Sequence, residues 1–325
     1  MATTRKPRAG SLQYWPRKRA KRIYPGIRTW KDSKKLQILG FVGYKVGMTL
    51  VVLKDNRAHA LTKGENIVWP VTILECPPLK VFGIRGYVND YNGERVYVDL
   101  LNNKVDKELG RRLSLTKKAD YEAKLKSFEE KMSKLNDLKL IVYTQPKKTG
   151  FGKKKPEIFE MGIGGDDVKA KYEYAKSLFD KEIKVSDLYK SNSVVDVHAV
   201  TKGKGFQGAF KRFGLTLRSH KSEKSRRTAV LGPEGYAKVS FTAPLGGQTG
   251  YNTRTEHNKE LLVVGTKPEN INIKAGFRHY GNVKNEYILI KGSLPGAITR
   301  LVRITEPIRR AVPSAVEFVS VRLRQ

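Results

Sequence analysis

With 64 Lys plus Arg against 31 Asp plus Glu in 325 residues, the chain carries a formal charge of +33, which points to a nucleic acid or an anionic membrane as its partner. A single cysteine, Cys76, excludes internal disulfides and cysteine-rich zinc sites and fits a reducing cytosol. The longest apolar run, residues 41–53, carries Lys45 and is too short to span a bilayer, and residues 1–28 lack the apolar stretch of a signal peptide. Nucleic acid is therefore the stronger reading.

Residues 1–35 read as a basic N-terminal extension, with Arg5, Lys6, Arg8, Arg17, Lys18, Arg19, Lys21 and Arg22 followed by Arg28, Lys31, Lys34 and Lys35, against Asp32 alone. Such a segment cannot bury enough apolar surface to fold by itself but can order against RNA. Its aromatics, Tyr14, Trp15, Tyr24 and Trp30, set it apart from a targeting peptide. From residue 36 to 102 the pattern turns to short β-rich runs at 38–42, 49–53, 67–74, 81–88 and 94–100, punctuated by Asn89-Asp90 and Asn92-Gly93, as in the first part of a small closed barrel. Within it, residues 40–49 fail as a phosphate-binding loop, because Lys45 stands where that motif needs its second glycine.

Residues 103–187 hold 21 Lys plus Arg against 15 Asp plus Glu, a near balance that suits a surface facing solvent or protein. Tyr121, Leu125, Phe128, Met132 and Leu135 share one helical face; Val168, Tyr172, Ala175 and Phe179 do the same behind the acids Asp166 and Asp167. With strands at 138–143 and 157–161, this reads as an inserted α/β subdomain. The fold class is therefore mainly β with an α/β insertion, and residues 188–325 form the second part of the barrel, with strands at 194–200, 260–264, 287–290, 300–304 and 316–323.

The long loop at residues 201–258 is the stretch no core could absorb. Lys202, Lys204, Lys211, Arg212, Arg218, Lys221, Lys224, Arg226 and Arg227 meet a single acid, Glu223, up to residue 227. Gly203, Gly205, Gly208 and Gly214 allow close backbone approach, and Phe206, Phe210 and Phe213 offer rings on which unpaired bases stack. A loop this long is either functional or disordered, and glycines and aromatics at such short intervals are not typical of a solvating tail. The spacing of Gly203, Gly205 and Gly208 matches the dinucleotide fingerprint, yet no amphipathic helix follows and Glu223 sits in a cationic run rather than at the end of a second strand.

No catalytic constellation assembles. His59, His198, His220, His257 and His279 are scattered, with no pair at ligand spacing. His198 reads as packed in a strand, His220 as an RNA contact, and Cys76 as inert in an apolar run. Asp196 reads as a structural ion pair or as an orienter of a cation. An RNA-modifying enzyme with a basic docking arm and a chromatin-type DNA binder are the rival classes.

With these parts in place the chain resembles the large-subunit ribosomal protein L three family, in its archaeal form. The most specific residues are Asp196, Ala199, Thr201 to Gly205, Gly208 and Lys211-Arg212; Tyr189 stands where the family signature has Phe or Leu. Both flanks add Arg8 to Leu12, Pro16 to Arg19, Gly43 to Thr49, Gly247 to Tyr251, Arg254 to Glu256 and Lys291 to Gly296. The resemblance implies a six-stranded translation-protein-type barrel with long basic extensions, and a structural, non-enzymatic constituent of the large ribosomal subunit in the cytoplasm. It also implies binding to 23S-type rRNA near its 3' end, a role in early subunit assembly, and a loop directed towards the peptidyl transferase centre. The candidate rRNA contacts are Arg8, Arg17, Lys18, Arg19, Lys45, Lys202, Lys204, Phe206, Lys211, Arg212, Arg218, His220, Lys221, Arg226, Arg227, Gln248, Tyr251 and Arg254. The loop tip is assigned to Pro233, Glu234 and Tyr236; many relatives carry Trp where Glu234 follows Leu231-Gly232-Pro233 here. No cofactor is implied beyond Mg2+ carried by the RNA. The neighbours implied are ribosomal proteins L fourteen and L twenty-four e.

Overall fold

Alternating apolar residues over long β-branched runs build the scaffold. In the computed structural model, which describes residues 10–114, 121–217, 219–221, 224–225, 231–232 and 237–322, the strands are β1 (Gly40–Asp55), β2 (Asn66–Glu75), β3 (Leu79–Asp90) and β4 (Gly93–Leu101). Helix α1 (Tyr121–Lys131) follows, then β5 (Asp137–Tyr143), β6 (Ile158–Gly162), helix α2 (Val168–Ser177) and β7 (Glu182–Ile183). Next come β8 (Ser193–Val200), β9 (Gly203–Gln207), helix α3 (Ala209–Phe213), β10 (Gly247–Gly250) and β11 (Thr253–Gly265). The chain closes with β12 (Tyr287–Lys291), β13 (Leu301–Thr305) and β14 (Val316–Arg322). The protein is mainly β, and it divides into two compact units: Met1–Ile23 with Val200–Arg254, and Tyr24–Ala199 with Thr255–Gln325.

In the larger unit one sheet runs in the order β13-β8-β11-β12-β2-β1-β14, and β1 also pairs with β13, so the pairings among six of its strands return to their start. Gly40 to Tyr44 face Thr305 to Leu301, while Leu50 to Asp55 face β14. The runs at 38–42 and 49–53 thus belong to one continuous strand. A register shift between Lys45 and Gly47 against β2 lets it continue without a turn. A second sheet is ordered β4-β3-β5-β6, with β7 on β3. Residues 36–102 therefore divide between the sheets: β3 and β4 join the insertion strands rather than β1 and β2, because a period-two pattern marks a strand without naming its neighbour.

Phe41, Tyr44, Leu53, Ile73 and Leu74 are fully buried in the core, and so are Ile84 of β3 and Leu138 and Phe128 of the insertion. The α1 stripe packs Phe128 on Tyr172 of α2, their ring centroids 5.4 Å apart, and Asp167 caps α2 by accepting from the amides of Lys169 and Ala170. Arg303 on β13 fastens residues 24–35 to this unit. Its Nη1 donates to the Pro25 carbonyl at 3.0 Å and its Nη2 to that of Glu160, while the guanidinium sits over the rings of Phe159 and Trp30. The Trp30 ring lies where a Cβ on Gly162 would stand, so only glycine fits there. This stretch, read from sequence as part of a basic extension, is anchored by its aromatics.

Candidate nucleic-acid interface

In the smaller unit, Gly247 and Gln248 pair with Gln207 and Phe206, and Gly250 with Gly203. The expected irregular loop at 201–258 thus contains a two-stranded sheet, a helix and the start of β11. Gly250 makes the close approach: it takes φ +67°, and a Cβ there would collide with the Lys202 carbonyl oxygen. Thr201 and Lys202 meet the facing segment through backbone bonds from Thr201 N to Asn252 O (3.0 Å) and from Tyr251 N to Lys202 O (3.1 Å).

A cation–aromatic stack organises the unit. Trp15 stacks on Phe213 at 5.8 Å and meets Phe241 edge-on at 6.1 Å. The Arg17 guanidinium lies 4.2 Å from the Phe213 ring centre, and its Nη1 donates to the Arg212 carbonyl at 2.8 Å. Arg212 in turn donates from Nε to Gln248 O at 3.1 Å and from Nη1 to Leu245 O at 3.0 Å. Two guanidiniums expected on phosphates therefore also build the unit. Of the three phenylalanines read as base-stacking rings, Phe213 is buried, Phe210 is half-buried, and only Phe206, 79% exposed, presents its face to solvent.

Lys18, Arg19, Lys202, Lys204, Lys211, His220 and Lys221 are exposed; Gln248, Tyr251 and Arg254 are half-buried. Rings steady two of the cations, Arg19 at 5.4 Å from the Tyr251 ring centre and Arg254 at 4.3 Å from that of Tyr14. Spacing alone did not single out Tyr14 and Trp15 as supports, since their partners lie far along the chain. Arg8, Arg218, Arg226, Arg227, Pro233, Glu234 and Tyr236 fall outside the described residues. Lys45 lies in the larger unit, where its Nζ donates to the carbonyls of Leu294 (2.5 Å) and Gly296 (3.4 Å). That bond ties β1 to the turn that follows β12.

The groups weighed for catalysis have structural partners. Asp196 is fully buried and accepts from His257 Nδ1 (2.9 Å) and from the amides of Asn258 (2.8 Å) and Ile308 (3.2 Å). Among the described residues no hydroxyl or thiol bonds the other nitrogen of His257. His198 lies between the hydroxyls of Thr255 and Thr305 at 2.9 and 3.0 Å; burial, then the charge of Arg303, lowers its pKa to about 4. Burial pushes the Cys76 thiol up. Among the described residues no group of three or more His, Cys, Asp or Glu could hold a metal ion.

In the sequence of the smaller unit the only acids are Glu223 and Glu234. A unit with so few acids, whose Trp15, Phe213, Tyr14 and Tyr251 rings lie against arginines, belongs to the class of cation-presenting proteins. Residues 1–322 match the family model described as "Ribosomal protein L3". The chain is 43% identical over 326 residues to the "Large ribosomal subunit protein uL3" of Methanococcoides burtonii, covering 98% of this chain and 96% of that protein. The protein of the same name from Archaeoglobus fulgidus is 43% identical over 308 residues (94% and 92% covered), and that from Methanosphaerula palustris 41% identical over 337 residues, the full length of both. The chain belongs to the ribosomal protein L3 family, which makes it a structural protein of the ribosome, in the cytoplasm, and not an enzyme.

Proposed function

We propose that the chain is a structural constituent of the large ribosomal subunit, of archaeal type, that binds 23S-type rRNA near its 3' end and supports early assembly of the subunit. The observation that carries this reading is the smaller unit, whose sequence is almost free of acids and whose rings and carbonyls hold arginines in place beside exposed Lys202, Lys204, Lys211 and Lys221. Phosphate neutralisation supplies most of the affinity, and glycines and the Phe206 ring fit the surface to folded RNA. The loop tip, Pro233 to Tyr236, is directed towards the peptidyl transferase centre, with Glu234 as an anion where many relatives have a ring. The returning circuit of six strands supports a translation-protein-type barrel. Ribosomal proteins L fourteen and L twenty-four e are its neighbours, and Mg2+ enters only with the RNA.

Sedimentation of a native lysate through a sucrose gradient with a high-salt wash tests the assignment: retention with the large subunit at stoichiometric level is expected, and release to the top of the gradient would refute it. Replacing Lys202, Lys204 and Lys211 by Gln tests the phosphate role. The log–log salt slope for single-stranded RNA should fall by about 0.7 for each phosphate that is no longer neutralised. An unchanged slope removes these side chains from the interface.

A further inference from the structure

The smaller unit holds a cleft of about 310 Å³ between the start of β9, the segment after β10 and the N-terminal residues. Four of its lining side chains are cations, Arg17, Lys202, Lys204 and Arg254, and among the described residues no carboxylate lines it. Like charges gathered around so small a space repel one another unless an anion sits among them. The fold nevertheless fixes two of them there: Arg254 is held over the Tyr14 ring and donates from Nη1 to Thr253 O at 2.9 Å, and Arg17 is held by Phe213 and the Arg212 carbonyl.

Two further features concern what fills the space. The Thr249 hydroxyl, on the cleft lining, is buried and has no hydrogen-bond partner among the described residues. Such a group normally finds one, so an unused donor at a cationic wall calls for an acceptor from outside. The other is Gly250, also on the lining, whose φ of +67° and close approach to the Lys202 carbonyl bring two stretches of backbone together at the cleft. A phosphodiester meets these demands together: its two non-bridging oxygens accept from guanidinium forks, ammonium groups and a hydroxyl at once. A cleft of this volume suits one sugar-phosphate unit, whereas a duplex presents its phosphates on a surface far wider.

We propose that this cleft is a preformed seat for a single phosphodiester of an RNA strand that has left helical geometry. It rests on the reading of RNA as partner and deepens it. Diffuse neutralisation by the exposed lysines is one mode of binding; the seat adds a position-specific one, in which preorganised arginines lose little freedom on contact.

The test uses the full chain with oligouridylate as single-stranded probe and a short RNA duplex as comparison, by fluorescence anisotropy over a salt series. Lys204→Gln with Arg254→Gln removes two charges from the cleft; Lys211→Gln with Lys221→Gln removes two outside it. Thr249→Val removes the hydroxyl without changing charge. The expected result is a loss of oligouridylate affinity about tenfold greater for the cleft pair than for the outside pair, and roughly fivefold loss with unchanged salt slope for Thr249→Val, in line with a hydrogen bond to a charged oxygen. Near-ultraviolet circular dichroism matching the parent shows that each variant is folded. Equal losses for the two pairs with a silent Thr249→Val would overturn the seat and leave the RNA reading standing, as would a parent chain that binds large-subunit rRNA but not oligouridylate. A parent chain that binds neither overturns both.

Discussion

Protonation of His198 sets a pH limit on the larger unit, and its size follows from the geometry. The imidazole is 8% exposed on β8, opposite Arg303 in the register with β13, with Asp196 and His257 as the other charged or titratable groups acting on it. Burial and the Arg303 charge lower its pKa from 6.5 to about 4, with Asp196 opposing. Between those values the unfolded chain binds a proton that the folded chain does not, so stability rises with pH across this window. The contribution is fully present above pH 6.5, is lost as pH falls towards 4, and amounts to about 3 kcal/mol at about 1.4 kcal/mol per pKa unit. Urea unfolding between pH 4 and 7.5, followed by the fluorescence of Trp30 and Trp69 in a Trp15→Phe background, measures it. His198→Gln keeps a neutral hydrogen-bonding group at every pH. The stability gap between parent and variant should therefore shift by about 3 kcal/mol in favour of the parent on going from pH 4 to pH 7. A gap that stays constant with pH would refute the reasoning.

The Glu75 carboxylate, fully buried, accepts from the Tyr280 hydroxyl, the amides of Lys284 (2.8 Å) and Asn285 (3.0 Å), and Asn285 Nδ2 (2.8 Å). Glu75→Ala strands these donors and should cost about 3 kcal/mol or more, with fast hydrogen exchange appearing first at the Lys284 and Asn285 amides; slow exchange there would mean that other acceptors hold the segment. Gly250→Ala, at φ +67° against the Lys202 carbonyl, should open the β9–β10 pairing and speed tryptic cleavage after Lys202 and Lys204, whereas an unchanged cleavage rate would show that the close approach tolerates a side chain.

Much of the scaffold could be read from residue patterns. The apolar runs of β5 and β8, buried at every position after the first, the α1 face through Phe128 and the cap at Asp167 all fall where local chemistry places them. Pairing could not be read, because Leu79 to Leu101 alternate as convincingly as β1 yet find their partners in the other sheet. The candidate interface could be read as charge and glycine but not as geometry. A guanidinium in a basic run looks the same whether it awaits a phosphate or already grips a carbonyl, and what assigns Arg17 is the Phe213 ring and the Arg212 carbonyl, far along the chain. Phe213 reads from the sequence as a platform for bases, yet it is occupied by Trp15 and Arg17.

The pairing of β1 with β13 has a consequence for how the chain is made. During synthesis Gly40 emerges well before its partner Thr305, so the main sheet cannot complete its circuit until all the residues between them have left the machine producing the chain. The acid-poor segment between β8 and β11 is by then already out. For that interval the cell handles a nascent polycation whose β1–β2 pair has both outer edges open, one awaiting β13 and the other β12. The ordering calls for a shield on those two open edges until β12 and β13 arrive.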